Sequence, residues 1–189
     1  DSDGIMIADG AGRWIWRPLI NPRALSVSSF QVFDPAGFGL IQRDIDFDHY
    51  QDLEAHYESR PSVWIAPGEK WGEGRVELVQ IPTDSEIHDN IVVYWVPAKP
   101  PEKGQSIWFS YKMIWHTSDN RRPIGGRVVA TRTAAGKGER GRKFVLDFEG
   151  SRLESLAPDK PLSAVITVDP RAKVLEHQLF KNRITNGWR

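Results

Sequence analysis

Residues 71–97 read WGEGRVELVQIPTDSEIHDNIVVYWVP, and the fold class turns on them. Residues 77–81 alternate apolar and polar side chains, and residues 91–96 are rich in β-branched and aromatic types, so both flanks read as strands. Between them Pro82, Asp84, Ser85, Asp89 and Asn90 are turn formers. Asp84, Glu86, His88 and Asp89 gather titratable groups at one sheet end. Acids on a loop held by two rigid strands are a common way to build a site.

The same punctuation runs outward from this hairpin. Residues 14–17, 27–30 and 38–42 are short strand candidates bounded by Gly, Pro or Asn, and no stretch between them keeps a helical period. In residues 44–60, DIDFDHYQDLEAHYESR, Tyr50, Leu53 and Tyr57 are spaced by three and four, which predicts a short helix or an ordered loop stopped by Pro61. Residues 107–115 alternate again, with Ile107, Phe109, Tyr111, Met113 and Trp115 on one face of a half-buried strand. After the Pro/Gly-rich break at 117–126, strand candidates at 128–133, 144–148, 164–168 and 174–180 predict a small β-sandwich. The Gly/Lys-rich run 136–143 reads as a solvated hairpin tip. This places one domain at 1–119, a linker at 120–126 and a second domain at 127–189. Asp1 starts on what reads as a cut loop and Trp188 as the start of a further strand, so the 189 residues read as a fragment.

Bulk properties exclude several classes of function. The formal net charge is zero and no basic stripe offsets it, which argues against nucleic acid as a partner. No apolar run is long enough to span a bilayer as a helix. Cysteine is absent, so disulfides and thiolate metal sites are excluded. The five His residues lack zinc-binding spacing, and no nucleophile elbow, P-loop or dinucleotide fingerprint is present, so no cofactor is expected. Asp44, Asp46 and Asp48 resemble the opening of a calcium loop, but the turn glycine and the bidentate glutamate do not follow, and no metal site is expected.

Eight Trp, eight Phe and four Tyr are the compositional outlier. A strand tryptophan such as Trp14, Trp95 or Trp108 is more often core than ligand platform. Trp71, beside Gly72 and Gly74, is the better platform candidate. The carboxylates fall into three groups: Asp1 and Asp3; Asp44, Asp46, Asp48 and Asp52; and Asp84, Glu86 and Asp89. Glycoside hydrolysis needs one carboxyl to protonate the leaving oxygen and another group to activate water or attack the anomeric carbon. Composition leaves all three groups eligible, and each aspartate has the simpler role of accepting turn N–H bonds.

The stretches DSDG, RWIWRPL, LSVSSF, GFGLIQRD, DFDHYQDLEAHYE, RPSVWIAP, WGEGRVELVQIPT and DNIVVYW resemble successive motifs of the periplasmic glucans biosynthesis protein family, OpgG/OpgD or MdoG. The likeness runs almost without gaps from Asp1 to Tyr94 and continues more loosely to Arg189. It implies an all-β fold, in which part of a large galactose-mutarotase-like β-sandwich precedes a smaller immunoglobulin-like domain. It also implies a periplasmic location and the remodelling of osmoregulated periplasmic glucans. The expected chemistry is inverting hydrolysis, or transglycosylation, of β-1,2-linked glucose; the alternative is a non-catalytic glucan-binding or partner-docking protein. Expected partners are the β-1,2-glucan, a membrane glucosyltransferase and a missing N-terminal segment of the same protein.

Carried over by motif, the resemblance makes Asp89 the general acid, with Glu86 beside it as a subsite or tuning neighbour. Asp1, preferred over Asp3, becomes the carboxylate that activates water, and Tyr57 a proton relay. Arg60 and Trp71 take substrate contacts. A proton donor at Asp89 is expected to be buried or crowded by negative charge.

Overall fold

The structure, a computed structural model, describes residues 2–85, 87–117, 125–138 and 141–189. The chain divides into two compact units, Asp1–Asn120 and Arg121–Arg189. Among the described residues the first unit carries β1 (Gly4–Ala8), β2 (Trp14–Pro18), β3 (Ser26–Phe33), β4 (Gly37–Ile41), the one-turn helix α1 (Phe47–Tyr50), a 3₁₀ turn at Tyr57–Ser59, β5 (Ser62–Pro67), β6 (Glu73–Gln80), β7 (Ile91–Pro97) and β8 (Tyr111–His116). All pairings between these strands are antiparallel. They form a five-stranded sheet, β2-β1-β4-β5-β8, and a three-stranded sheet, β3-β6-β7.

The two sheets meet face to face as a sandwich, because alternate side chains of each point inward. Ile5, Ile7 and Phe38 of the larger sheet pack with Val32, Val76 and Leu78 of the smaller one. β1 is buried along its whole length, since its other face packs Met6 and Ala8 with Ile41 and Trp64. Trp64 needs the glycines of the GFGL run. A methyl group at Gly37 would run into its indole, and one at Gly39 into the Val63 carbonyl of the facing strand.

Two strands go beyond the sequence expectation. GIMIA and SVWIAP are short apolar runs without alternation: β1 is buried on both faces, and β5 sets Trp64 against one apolar cluster and Ile65 against the other. The 44–60 segment does contain a short helix, capped by Asp46 and closed by Gln51 in the left-handed region at φ 52°. The 107–115 alternation is realised only from Tyr111 onward, and its face is not half-buried. Tyr111, Met113 and Trp115 are all at least half exposed; β8 is an edge strand, and Trp71 meets the Tyr111 ring edge-on at 6.2 Å.

Among the described residues the second unit holds one hairpin, β9 (Arg127–Ala135) with β10 (Arg142–Glu149), and the helical turn α2 (Ser151–Glu154). Of the Gly/Lys-rich run, residues 136–141 connect the two strands, and Arg142 and Lys143 belong to β10. Residues 164–168 and 174–180 are not strands and are largely exposed; among the described residues only Phe180 pairs, exchanging two 2.8 Å backbone hydrogen bonds with Arg189, and the adjoining Lys181 forms an isolated antiparallel bridge with Trp188. Apolar alternation alone does not make a strand where pairing stops at single residues. The chain end is secured instead by Trp188, which exchanges two 2.8 Å backbone hydrogen bonds with Phe148 and donates its indole N–H to the Leu153 carbonyl at 2.8 Å.

Candidate functional site

Antiparallel pairing brings three of the expected segments to one end of the sandwich. Gly4 faces both Pro18 and Ile41, and Gln80 lies between Ser26 and Ile91. The connector after β2 ties the sheets together there. Leu19 N–H donates to the Asp3 carbonyl at 2.9 Å, and Ile20 N–H donates to Gln80 Oε1 at 2.9 Å. Asn21 then exchanges side-chain hydrogen bonds with the backbone of Thr83 at 2.6 and 3.1 Å. The Asp3 segment, residues 42–60 and the 81–90 loop therefore share this end.

Asp3 is an organiser of its surroundings. Its Oδ2 accepts from the backbone N–H groups of Arg43 and Asp44, at 2.5 and 2.6 Å, and so fixes the chain as it leaves β4. Gln42 continues the scaffold: its N–H donates to Ser62 Oγ at 2.9 Å, and its amide nitrogen donates to Tyr50 Oη at 2.7 Å and to the Asp44 carbonyl at 2.9 Å. Gln42 Oε1 is buried without a hydrogen-bond partner among the described residues. Burial, reinforced by the negative charge of Asp3 and Asp44, pushes the Tyr50 phenol above its ordinary range. The Tyr50 and Tyr57 rings lie 6.0 Å apart, and the Arg60 guanidinium sits 5.2 Å from the Tyr57 ring centre while its Nε donates to the Ala55 carbonyl at 3.2 Å.

The charges here are set by local partners. Burial favours a neutral Glu58, yet hydrogen bonds from His56 at 3.0 Å and Ser59 at 3.1 Å, together with its own backbone, outweigh it and hold the carboxyl below its usual range. Asp44 contacts His49 Nδ1 at 2.8 Å and raises the imidazole pKa by that bond and its charge. Among the described residues no three His, Asp or Glu side chains converge as metal ligands.

The 81–90 loop is closed at its base by Ile81 N–H donating to the Asn90 carbonyl at 2.8 Å and Asn90 Nδ2 donating to the Ile81 carbonyl at 3.0 Å. Thr83 braces its interior, bonding Ser85 and meeting His88 Nδ1 at 3.1 Å. Asp89 itself is exposed, without the cover expected of a proton donor. Asp1 and Glu86 lie outside the described residues. Asp3, Tyr57, Arg60 and Asp89 thus belong to one end. Trp71 does not: it precedes β6, whose eight residues separate it from the acidic loop by about 26 Å of strand.

Two residues of this end escaped the sequence reading as site components, Gln42 and Tyr50. Tyr50 was visible only as part of a helical spacing. A glutamine at the end of a strand carries no signal for burial at all.

The sequence profile described as "Periplasmic glucan biosynthesis protein, MdoG" matches residues 1–189. The chain belongs to this family. Glucans biosynthesis protein G of Ralstonia nicotianae is 45% identical over 198 residues, covering 100% of this chain and 39% of the relative. The protein of the same name from Pseudomonas paraeruginosa is 42% identical over 200 residues, covering 100% of this chain and 38% of its own length. Its counterpart in Pseudomonas aeruginosa aligns with the same identity and coverage. This MdoG-family chain therefore spans less than two fifths of the length of these relatives.

Proposed function

We propose that the protein acts in periplasmic glucan biosynthesis, binding a β-1,2-glucan at the carboxylate end of its first unit and remodelling the backbone by inverting hydrolysis or transglycosylation. The meeting of the Asp3, 42–60 and 81–90 segments at one sandwich end carries this reading, because a two-carboxyl mechanism needs acids from separate loops on opposite sides of one bond. Asp89 gives its proton to the glycosidic oxygen as the anomeric C–O bond breaks. A water attacks from the other face, or a sugar hydroxyl in transglycosylation, and its proton leaves through the Tyr57 phenol toward Asp1. Arg60, Asp3 and Glu86 hold the sugar hydroxyls. An exposed Asp89 requires the glucan, or further sequence in a longer chain, to supply its cover.

The test is to incubate the full-length protein with linear β-1,2-glucan and follow reducing ends. Asp89→Asn is expected to lower the rate by about 10²- to 10⁴-fold, the usual contribution of a general acid. Undiminished activity would remove Asp89 from the mechanism. Its exposure also favours a second reading, a non-catalytic glucan-binding or partner-docking role. Heat of glucan binding with no release of reducing sugar by the wild type would establish that instead.

A further inference from the structure

The opposite end of the first unit carries a cleft that the carboxylate chemistry leaves unused. It encloses about 490 Å³, with Trp71, Trp108 and Phe109 as aromatic walls and Glu69, Lys70 and Lys99 on its rim. Trp71 is placed there by more than packing. Asp34 N–H donates to the Gly72 carbonyl at 2.8 Å, and Gly72 N–H donates to Asp34 Oδ1 at 2.8 Å. Both residues adopt left-handed backbone, with φ 47° at Asp34 and 73° at Gly72. Aspartate adopts that region more readily than most residues, and here its side chain holds the Gly72 N–H and fixes the turn that carries Trp71. Phe109 at 5.3 Å and Trp95 at 5.7 Å then hold the indole from the sides. The indole N–H groups of Trp71 and Trp95 are buried with no acceptor among the described residues, a cost that native interiors rarely leave standing.

The lining chemistry selects one kind of occupant. Aromatic faces receive the C–H faces of a pyranose ring, while neighbouring carboxylates and ammonium groups bond its hydroxyls as acceptors and donors. Glu69 and Glu73 balance Lys70 and Lys99, so the cleft gives no preference to an anionic or cationic partner. The geometry points to a second glucan-binding site, separate from the carboxylate end, that takes a glucose oligosaccharide and anchors a distant stretch of the same polymer. This rests on the reading of the protein as a glucan-acting one, and it gives Trp71 a sugar contact away from the acids.

The experiment uses the full-length protein bearing Asp89→Asn, so that the probe is not consumed, titrated with linear β-1,2-gluco-oligosaccharides by calorimetry. Two classes of site are expected, and adding Trp108→Ala should weaken one of them at least about fivefold. Trp108 is 86% exposed, so its loss should leave the circular dichroism unchanged. Lys70→Ala, also on the rim, serves as a second variant with the same expected direction. Identical titrations with and without these changes overturn the second site while leaving the glucan reading intact. A Trp108 side chain that a neutral quencher cannot reach in the glucan-free protein overturns it too, because the cleft is then filled by the protein itself. Absence of glucan binding in every variant overturns both readings.

Discussion

The two units are built of the same β-rich sequence and are held together by different physics. In the first, one apolar cluster is buried between the two sheets and a second on the other face of β1. In the second, the described part has a single hairpin against which Trp188 is buried, and two guanidinium groups converge on one buried carboxylate. Asp147 receives the Arg189 guanidinium at 2.6 and 3.1 Å and the Arg132 guanidinium on its second oxygen. Lys181 adds a cap, donating to the carbonyls of Leu153, Glu154 and Leu156 at 3.2, 2.7 and 3.0 Å. The difference teaches where each unit is fragile. A sandwich fails when volume is removed from it, whereas a charge-latched hairpin fails when its charge is removed.

Trp64→Ala tests the first half of that contrast and should have the largest effect. Trp64 is 2% exposed and stacks on Trp14 at 5.9 Å, so truncation should cost about 3–5 kcal/mol in urea denaturation of the first unit. A cost near zero would mean that its face is held by something other than packing. Asp147→Asn tests the second half. The two guanidinium groups hold this carboxyl at about 2, below its ordinary 3.8, so the folded state favours its ionised form. A depressed value contributes stability above the unfolded value, and that contribution fades as pH falls from about 4 through 2. The variant should lose about 2 kcal/mol near neutral pH and become insensitive to acid in that window. An unchanged acid response would assign the latch to other groups. The smallest effect belongs to His49, whose imidazole is raised by Asp44. Its pairing is present at low pH and disappears as pH rises through the elevated midpoint. In an NMR titration Asp44→Asn should return that midpoint towards 6.5 without altering either core.

Much of the first unit could be read residue by residue, and its omissions have physical causes. β6 announces itself by alternation, with Val76 and Leu78 inward and Arg75 and Glu77 outward. β1 does not, because burial on both faces removes the period that marks a strand, and β5 does not because its apolar residues meet a cluster on either face. The expected strands at 164–168 and 174–180 had the composition, but of their residues only Phe180 found a backbone partner among the described residues, Arg189. At the candidate site, Asp3, Tyr57, Arg60 and Asp89 were proposed through resemblance to the MdoG family, whereas Gln42 and Tyr50 emerged from hydrogen bonds that span the gap between β4 and β5.

The amino-acid order alone settled the β class, the acidic hairpin and the family, since alternation, turn formers and motifs are local properties of a chain. It could not say that the acidic loop and Asp3 share an end while Trp71 stands at the other. Strand direction and register distribute residues between the two ends of a sheet, and both come from pairing between segments far apart in sequence.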